Sequence, residues 1–276
     1  MEFPRDFVVF DTETTGMPPG ARLVEIGAVK VRGHSIVDRF EQLIFPEQPI
    51  PERVIEIHGI SDAAVEDAAP ALEVLPEFFR WIGKTPLIGH NVPFDATMLA
   101  AECTRLGLPA PENPTYCTLS ASRRLLQRRS HSLQNLASEF RLDSGRSHRA
   151  SDDAETTLQL LWKLIEVSGS NFRFRYLGRG KPLSQFAPQP PQLPSSKREL
   201  ESAAQMGEAV DIHYRLASGN MIQSRISPRF FYRQRNNIVM EAYCHIAGFY
   251  KNYRLERIQA VHPCPDAPPP LVRRGF

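Results

Sequence analysis

The 276-residue sequence predicts an α/β protein: a mixed sheet with flanking helices, followed by a small β module. Three observations carry that expectation. Apolar strand-like runs come first and then alternate with helical periodicity, the order of a mixed rather than a purely parallel sheet. A Pro/Gln-rich stretch, 181–194, interrupts the pattern. Behind it, short alternating segments separated by turn residues read as antiparallel strands.

Each element has its own signal. Phe7-Val8-Val9-Phe10 is a short apolar run of the kind that forms a buried strand. Thr15-Gly16 and Pro18-Pro19-Gly20 mark a turn. Residues 23–31 and 36–44 read as two further strands, joined through Arg32-Gly33-His34. Leu72, Leu75, Phe78, Phe79 and Ile82 recur at helical spacing, and Leu87-Ile88-Gly89 is another short strand. A helix is expected from about 94 to 106. Ala154, Leu158, Leu161 and Ile165 form the apolar stripe of a late helix. Proline lacks the amide donor and fixes φ, so 181–194 reads as an extended linker. A helix over about 196–207 follows, then strands over 210–215, 221–226, 238–246 and 250–258, with Ser218-Gly219-Asn220 as a hairpin turn. The expected boundaries are 1–168 for the first domain, 169–195 for the linker, 196–262 for the β domain and 263–276 for a Pro-rich tail.

Composition narrows the class. Hydrophobic residues are 42% and charged residues 23%, which fits a folded chain and excludes disorder. No run approaches the ~18 apolar residues of a membrane span. The acidic Glu2 and Asp6, with no basic segment leading into an apolar run, exclude a signal peptide. Cys103, Cys117, Cys244 and Cys264 form no CxxC pair, which argues against a disulfide framework or zinc site and suits a reducing cytoplasm. The net charge of +2 hides a split. Residues 1–166 hold 17 basic and 24 acidic side chains, net −7; residues 167–276 hold 16 and 7, net +9. This is either drift in surface charge or an acidic metal site followed by a polyanion-binding module. The run Arg123-Arg124-Leu125-Leu126-Gln127-Arg128-Arg129 reads either as a strip that tracks phosphates or as a solvated helix face.

Four carboxylates stand at element ends. Asp11 and Glu13 directly follow the first apolar run, and alternation puts residues i and i+2 on one side of an extended chain. Asp95 closes His90-Asn91-Val92-Pro93-Phe94-Asp95, and Asp153 lies near the start of the last helix. Singly, each has an ordinary explanation. An Asp after a strand serves a turn, Asp152 and Asp153 favour a helix dipole, Glu25 faces solvent, and His34, His90 and His131 are loop residues. Together, four carboxylates repel one another unless cations or protons neutralise them. Hard oxygen donors suit Mg²⁺ or Mn²⁺. Two such ions, roughly 3.5–4 Å apart, activate a water and stabilise the leaving oxygen of a phosphodiester.

Phe10-Asp11-Thr12-Glu13-Thr14-Thr15-Gly16, His90-Asn91-Val92-Pro93-Phe94-Asp95 and His148-Arg149-Ala150-Ser151-Asp152-Asp153 resemble the three motifs of the DEDDh exonucleases, in that order. That family includes proofreading subunits and domains of bacterial DNA polymerases. Val24-Glu25-Ile26-Gly27-Ala28 and Ile57-His58-Gly59-Ile60 fit its pattern, and the resemblance covers about 5–166. It implies a ribonuclease-H-like fold and 3′→5′ removal of nucleotides from nucleic acid with a free 3′ end, with DNA favoured and RNA or short oligonucleotides left open. It also implies Asp11, Glu13, Asp95 and Asp153 as ligands of two divalent ions, and His148 as general base. An unperturbed imidazole, titrating near ~6.5, suits that task. Asp153 rather than Asp152 matches, because the family places the acid five positions after the histidine. A sister subclass has tyrosine at position 149, where this chain has Arg149. By the same resemblance Thr14, Thr15 and Gly16 offer backbone groups to the 3′-terminal nucleotide, His58 and Ile60 belong to a loop that packs against its base, and Asn91 is a polar contact beside it.

The segment 207–260 resembles a WYL domain, best in Asp211-Ile212-His213-Tyr214-Arg215, Glu241-Ala242-Tyr243-Cys244-His245 and Tyr253-Arg254-Leu255-Glu256-Arg257-Ile258. The family's naming triplet is replaced by Ile238-Val239-Met240. The resemblance implies an Sm/SH3-like barrel binding nucleic acid or a nucleotide-type regulator, with Tyr214, Arg215, Arg254 and Arg257 as contacts. Aromatics beside arginines stack bases and hold phosphates; the bland role of the same residues is packing by long stems. Two other readings stay open. One is a regulatory sensor on a silent exonuclease fold, against which the intact acid set argues. The other is a polymerase-bound proofreading subunit whose second domain binds its partner, although no polymerase-binding signature is visible.

Overall fold

The first strand is longer than its apolar run. In the computed structural model, which describes residues 3–145, 148–264 and 266–272, β1 spans Asp6–Thr14. It pairs antiparallel with β2 (Leu23–Arg32) as far as Thr14, so Asp11 and Glu13 lie inside the strand rather than behind it. β3 (Ser35–Leu43) pairs antiparallel with β2, and β4 (Leu87–Gly89) lies parallel to β1. β5 (Pro114–Cys117) continues parallel to β4, and β6 (Lys181–Pro182) closes the far edge antiparallel. The order β3-β2-β1-β4-β5-β6 makes the mixed sheet that the order of elements predicts.

Helices cover both faces, which is why the run at the centre of β1 does not alternate. Val8 and Phe10 pack with α3 (Ala71–Ile82) and α4 (Pro93–Leu106). Phe7 and Val9 pack with Leu158, Leu161 and Leu164 of α7 (Ala150–Ser168). In α3 the core face includes Val74, while Leu72, expected there, is 52% exposed. The short helices α1 (Glu52–His58), α2 (Asp62–Val65), α5 (Thr118–Leu125) and α6 (Leu133–Phe140) escape a periodicity reading because each is too brief to show one.

Contacts divide the chain into two units, Met1–Pro46 with Ile50–Ala187, and Glu47–Pro49 with Pro188–Phe276. Much of the segment expected as linker packs on the first unit. Phe174, Leu177 and Leu183 are buried in its two cores, because these apolar residues precede the densest prolines. From Pro188 to Pro194 there is neither helix nor strand.

In the second unit α8 (Arg198–Met206) precedes a five-stranded antiparallel sheet. Its strands are β7 (Ala209–Arg215), β8 (Met221–Gln234), β9 (Asn237–Cys244), β10 (Phe249–Arg254) and β11 (Ile258–Cys264), in the order β10-β9-β8-β7-β11. β8 outruns its expected end because it absorbs Pro228 at a register shift between Pro228 and Phe230, where a strand tolerates proline. The single strand expected over 250–258 breaks at a 3₁₀ turn, Leu255–Arg257. β11 carries Pro263 and Cys264 into pairing with Val210 and Ala209, so the sheet reaches into the expected tail. Leu200, Ile212, Ile226, Met240 and Tyr253 fill the core.

Candidate active site

Strand alternation separates the three residues that follow Phe10. Asp11 and Glu13 share the face of β1 that carries Val9, and both line a cavity of about 750 Å³. Thr12 points the other way. Its backbone N–H and its Oγ1 both donate to Asp95 Oδ1, at 3.1 and 2.8 Å, which ties the first turn of α4 to β1. Asp153, in the first turn of α7, accepts the His148 backbone N–H at Oδ2, 3.2 Å. His148 adopts a left-handed φ of 63° just before that helix. Ligand atoms of Glu13, His148 and Asp153 lie within 4.8 Å of one another. All four acids and His148 line the same cavity, as does Asn91, itself left-handed at φ 65°.

Two residues of β2 seat α7 there. Gly27 pairs with Asp11, and a Cβ on it would stand 2.1 Å from Ala150 C and from Ser151 N. Only glycine admits the helix start this close to the strand. Glu25 corrects an expectation: it is fully buried rather than solvent-facing, because β2 is covered on both faces. It accepts the Ala150 N–H at 2.8 Å and pairs with Arg149, whose Nε lies 3.1 and 3.2 Å from its two oxygens. A carboxylate at a helix N-terminus satisfies a free donor and meets the positive end of the dipole. Arg149, at the position of the sister subclass's tyrosine, therefore serves β2.

The cluster is electrostatically unfavourable without cations. Burial pushes Glu13 up to about 8, with Asp153, Glu25 and Asp95 adding and Arg149 opposing. Burial pushes Asp95 up to about 7 against the two donors of Thr12. Asp11 is raised well above the usual carboxylate range, first by burial and then by Asp95, Glu13 and Asp153. Asp153 is raised by burial, with His148 pulling it down. Hard oxygens that cannot all ionise alone are the donor set that a small divalent cation suits.

The remaining residues expected at the substrate lie outside the cavity lining. Thr14 and Thr15 are buried; Thr14 Oγ1 donates to Gly16 O at 2.7 Å, and Arg22 N donates to Thr15 Oγ1 at 2.9 Å. Ile60 packs with Val24, Ile50 and Val54. His58 is buried, and its Nδ1 accepts the Ile60 N–H at 3.0 Å. Sequence reading passes over the structural roles of Thr12, Gly27, Arg149 and His90. The signal for Gly27 and Glu25 is a glycine and an acid inside an otherwise apolar strand.

In the second unit Tyr214 is buried in the core, edge-on to Tyr253 with centroids 5.3 Å apart. Its hydroxyl accepts the Arg254 N–H at 3.3 Å. Arg215 and Arg257 line a concavity of about 450 Å³ together with Glu256. Arg254 faces Glu256 at 3.8 Å instead.

A mixed sheet with four carboxylates and a histidine at its mouth defines a DEDD-type exonuclease domain. The chain belongs to the Exonuclease family (RNase_T), whose model matches residues 8–161. A WYL domain model matches residues 196–263. A PolC-type DNA polymerase III of Oceanobacillus iheyensis is 39% identical over 162 residues, 58% of this chain but 11% of that protein. The chain thus spans about a tenth of the length of that relative. Exonuclease X, solved in complex with 5′-overhanging duplex DNA, is 28% identical, with a TM-score of 0.50 over 62% of this chain and 96% of that one. The nuclease domain of 3′hExo, a DEDDh family member bound to rAMP, shares the fold at 21% identity and a TM-score of 0.53, covering 61% of this chain and 95% of its own. Among the described residues no helix is long and apolar enough to cross a membrane.

Proposed function

We propose that the first unit removes nucleotides from the 3′ end of nucleic acid, DNA in the first instance, by metal-dependent hydrolysis. The observation that carries this reading is the convergence of Asp11, Glu13, Asp95, Asp153 and His148 on one cavity. The structure of Exonuclease X with duplex DNA supports DNA as the substrate. Asp11, Glu13, Asp95 and Asp153 would hold two divalent ions, Mg²⁺ or Mn²⁺, which supply a polarised water and a counter-charge for the leaving oxygen. His148 takes the proton of the attacking water. The bond between its backbone N–H and Asp153 holds the imidazole next to the acids. Thr12 fixes which oxygen of Asp95 faces inward. Asn91 binds beside the terminal nucleotide. In the second unit the sheet is read as an Sm/SH3-like barrel, with the Arg215–Arg257 concavity taking a phosphate of nucleic acid or of a nucleotide-type ligand.

The test is gel-resolved digestion of 3′- and 5′-labelled single- and double-stranded DNA and RNA with Mg²⁺, Mn²⁺ or chelator. A metal-dependent ladder that shortens from the 3′ end, absent in Asp11→Ala, is expected. A folded Asp11→Ala protein with undiminished cleavage would overturn the assignment.

A further inference from the structure

The basic run that starts in the last turn of α5 does not stay together in the fold. Arg128 turns to α6 and pairs with Glu139. Arg124, exposed like the other three arginines, is absent from the cavity lining. Arg123 and Arg129, by contrast, both line the cavity that holds the carboxylates. Neither has an ion-pair partner among the described residues. Neither is among the leading charges that act on the four acids, whereas Arg149 is for Glu13. Two uncompensated guanidinium groups thus stand in the cavity of a segment whose net charge is −7.

The wall that carries them is fastened from behind. His90 is largely enclosed and uses both ring nitrogens: Nδ1 lies 2.9 Å from Thr118 Oγ1, and Nε2 lies 2.8 Å from His131 O. Burial, with the nearby His131 and Arg123, holds its pKa below the usual imidazole value, so the ring stays neutral and donates one of these bonds while accepting the other. The His131 ring in turn meets Ser122 Oγ at 3.0 Å. This chain of bonds joins the end of β4, α5 and the loop that carries Arg129.

We propose that Arg123 and Arg129 form a second phosphate site, which grips the internucleotide phosphate on the 5′ side of the bond being cleaved. The inference rests on the exonuclease reading and adds a subsite to it. On that reading the scissile phosphate would lie at the carboxylates and the cations they would hold. A guanidinium needs no cation to hold a phosphate, and its planar fork does so with two parallel bonds. A cavity of about 750 Å³ lies within the ~300–1,000 Å³ range of ligand pockets, which suits a terminal nucleotide together with its neighbour. His90 is then a positioning residue for this wall.

The test uses full-length protein and two substrates. One is a short single-stranded oligodeoxynucleotide with 5′ fluorescein. The other is the p-nitrophenyl ester of thymidine 5′-monophosphate, which has a cleavable phosphodiester and no upstream phosphate. Arg123→Ala and Arg129→Ala should each lower the ratio of kcat/KM on the oligonucleotide to kcat/KM on the ester by about tenfold or more, through KM. Fluorescence anisotropy in chelator, without metal, should show the salt slope of oligonucleotide binding shrinking by about 0.7 per arginine removed. Arg123→Lys should recover the slope and only part of the ratio. Arg124→Ala should keep both values. If Arg124→Ala lowers the slope as much as Arg123→Ala, or if the ratio does not move, the site is refuted. A wild-type protein that cleaves neither substrate would overturn the exonuclease reading, and the metal-free titration would still decide the phosphate site.

Discussion

Replacing Gly27 by alanine perturbs the site without touching any group that does chemistry. The added Cβ would meet Ala150 C and Ser151 N at 2.1 Å. Both atoms are backbone, so no side chain can rotate away. To reach an ordinary contact of 3.4 Å, strand and helix must part by about 1.3 Å. Overpacking of this kind costs about 1–3 kcal/mol, a fall in Tm of roughly 2–12 °C for a unit of this size. The displaced segment carries Asp153 and, just before it, His148. A misplacement of about 1 Å costs about 10²-fold in rate. The assay pairs kcat for release of 3′-terminal nucleotides with the Tm of the same preparation. The expected signature is a rate loss of about 10²-fold in protein that remains folded at the assay temperature. A Gly27→Ala protein with wild-type kcat and Tm would refute the argument that glycine is what admits α7 to the strand.

Three further perturbations separate charge from packing. Asp11→Ala should lower hydrolysis by about 10³-fold or more. It should leave the metal-free Tm equal or higher, because one of several repelling carboxylates is gone; a lower Tm would show that Asp11 supports the fold. Without metal, burial pushes Glu13 up to about 8 and Asp95 up to about 7, above the usual carboxylate values, so the native state holds protons that the unfolded chain has released. That contribution is complete below the unfolded pKa values and is lost as pH rises through the folded ones. Urea midpoints in chelator should therefore fall between about pH 5 and pH 8.5, and Mg²⁺ should flatten the trend; a midpoint that rises across this window would contradict the raised pKa values. Arg149→Ala strands the fully buried Glu25 and should cost about 3–5 kcal/mol in urea unfolding, with Glu25→Gln relieving part of that loss in the double variant. Additive losses would show that the two residues do not act as a pair.

The acids that gather at the cavity were more legible in the sequence than the devices that position them. Acids at fixed places in three motifs announce themselves, and strand alternation correctly places Asp11 and Glu13 on one face. Glu25 does not announce itself, because an acid in a strand faces solvent unless both faces of the sheet are covered. That cover comes from α7, whose contact with β2 is remote in sequence. Arg123, Arg124, Arg128 and Arg129 look alike in the sequence. Only the turn after α5 and the position of Glu139 on α6 sort them: all four are exposed, but Arg123 and Arg129 line the cavity and Arg128 pairs with Glu139. The side chains of Thr14, Thr15 and His58 meet a different limit: they are buried outside the cavity lining, and burial cannot be read from a motif. In the second unit the same holds for Tyr214, which alternation along β7 turns inward, against Tyr253.

The acids reach the cavity from both sides of one strand, and this decides how the site can fail. β1 is shared by two cores. Asp95 arrives on α4, which packs with Val8 and Phe10, and it is tied to β1 through Thr12. Asp153 and His148 arrive with α7, which packs with Phe7 and Val9 and is seated by Gly27 and Glu25. Loosening the first core would move one carboxylate. Loosening the second would move a carboxylate and the base together. The acids repel one another, so nothing within the cluster holds it closed in the absence of cations. The neutral donors of Thr12 and the pair of buried Glu25 with half-buried Arg149 lie just outside the cluster, on opposite faces of the sheet, and supply the restraint that the carboxylates cannot supply for themselves. Rigid scaffolding around a mutually repelling centre keeps the oxygens spaced for a cation before one binds, and that preorganisation is what a hydrolytic site of this kind requires.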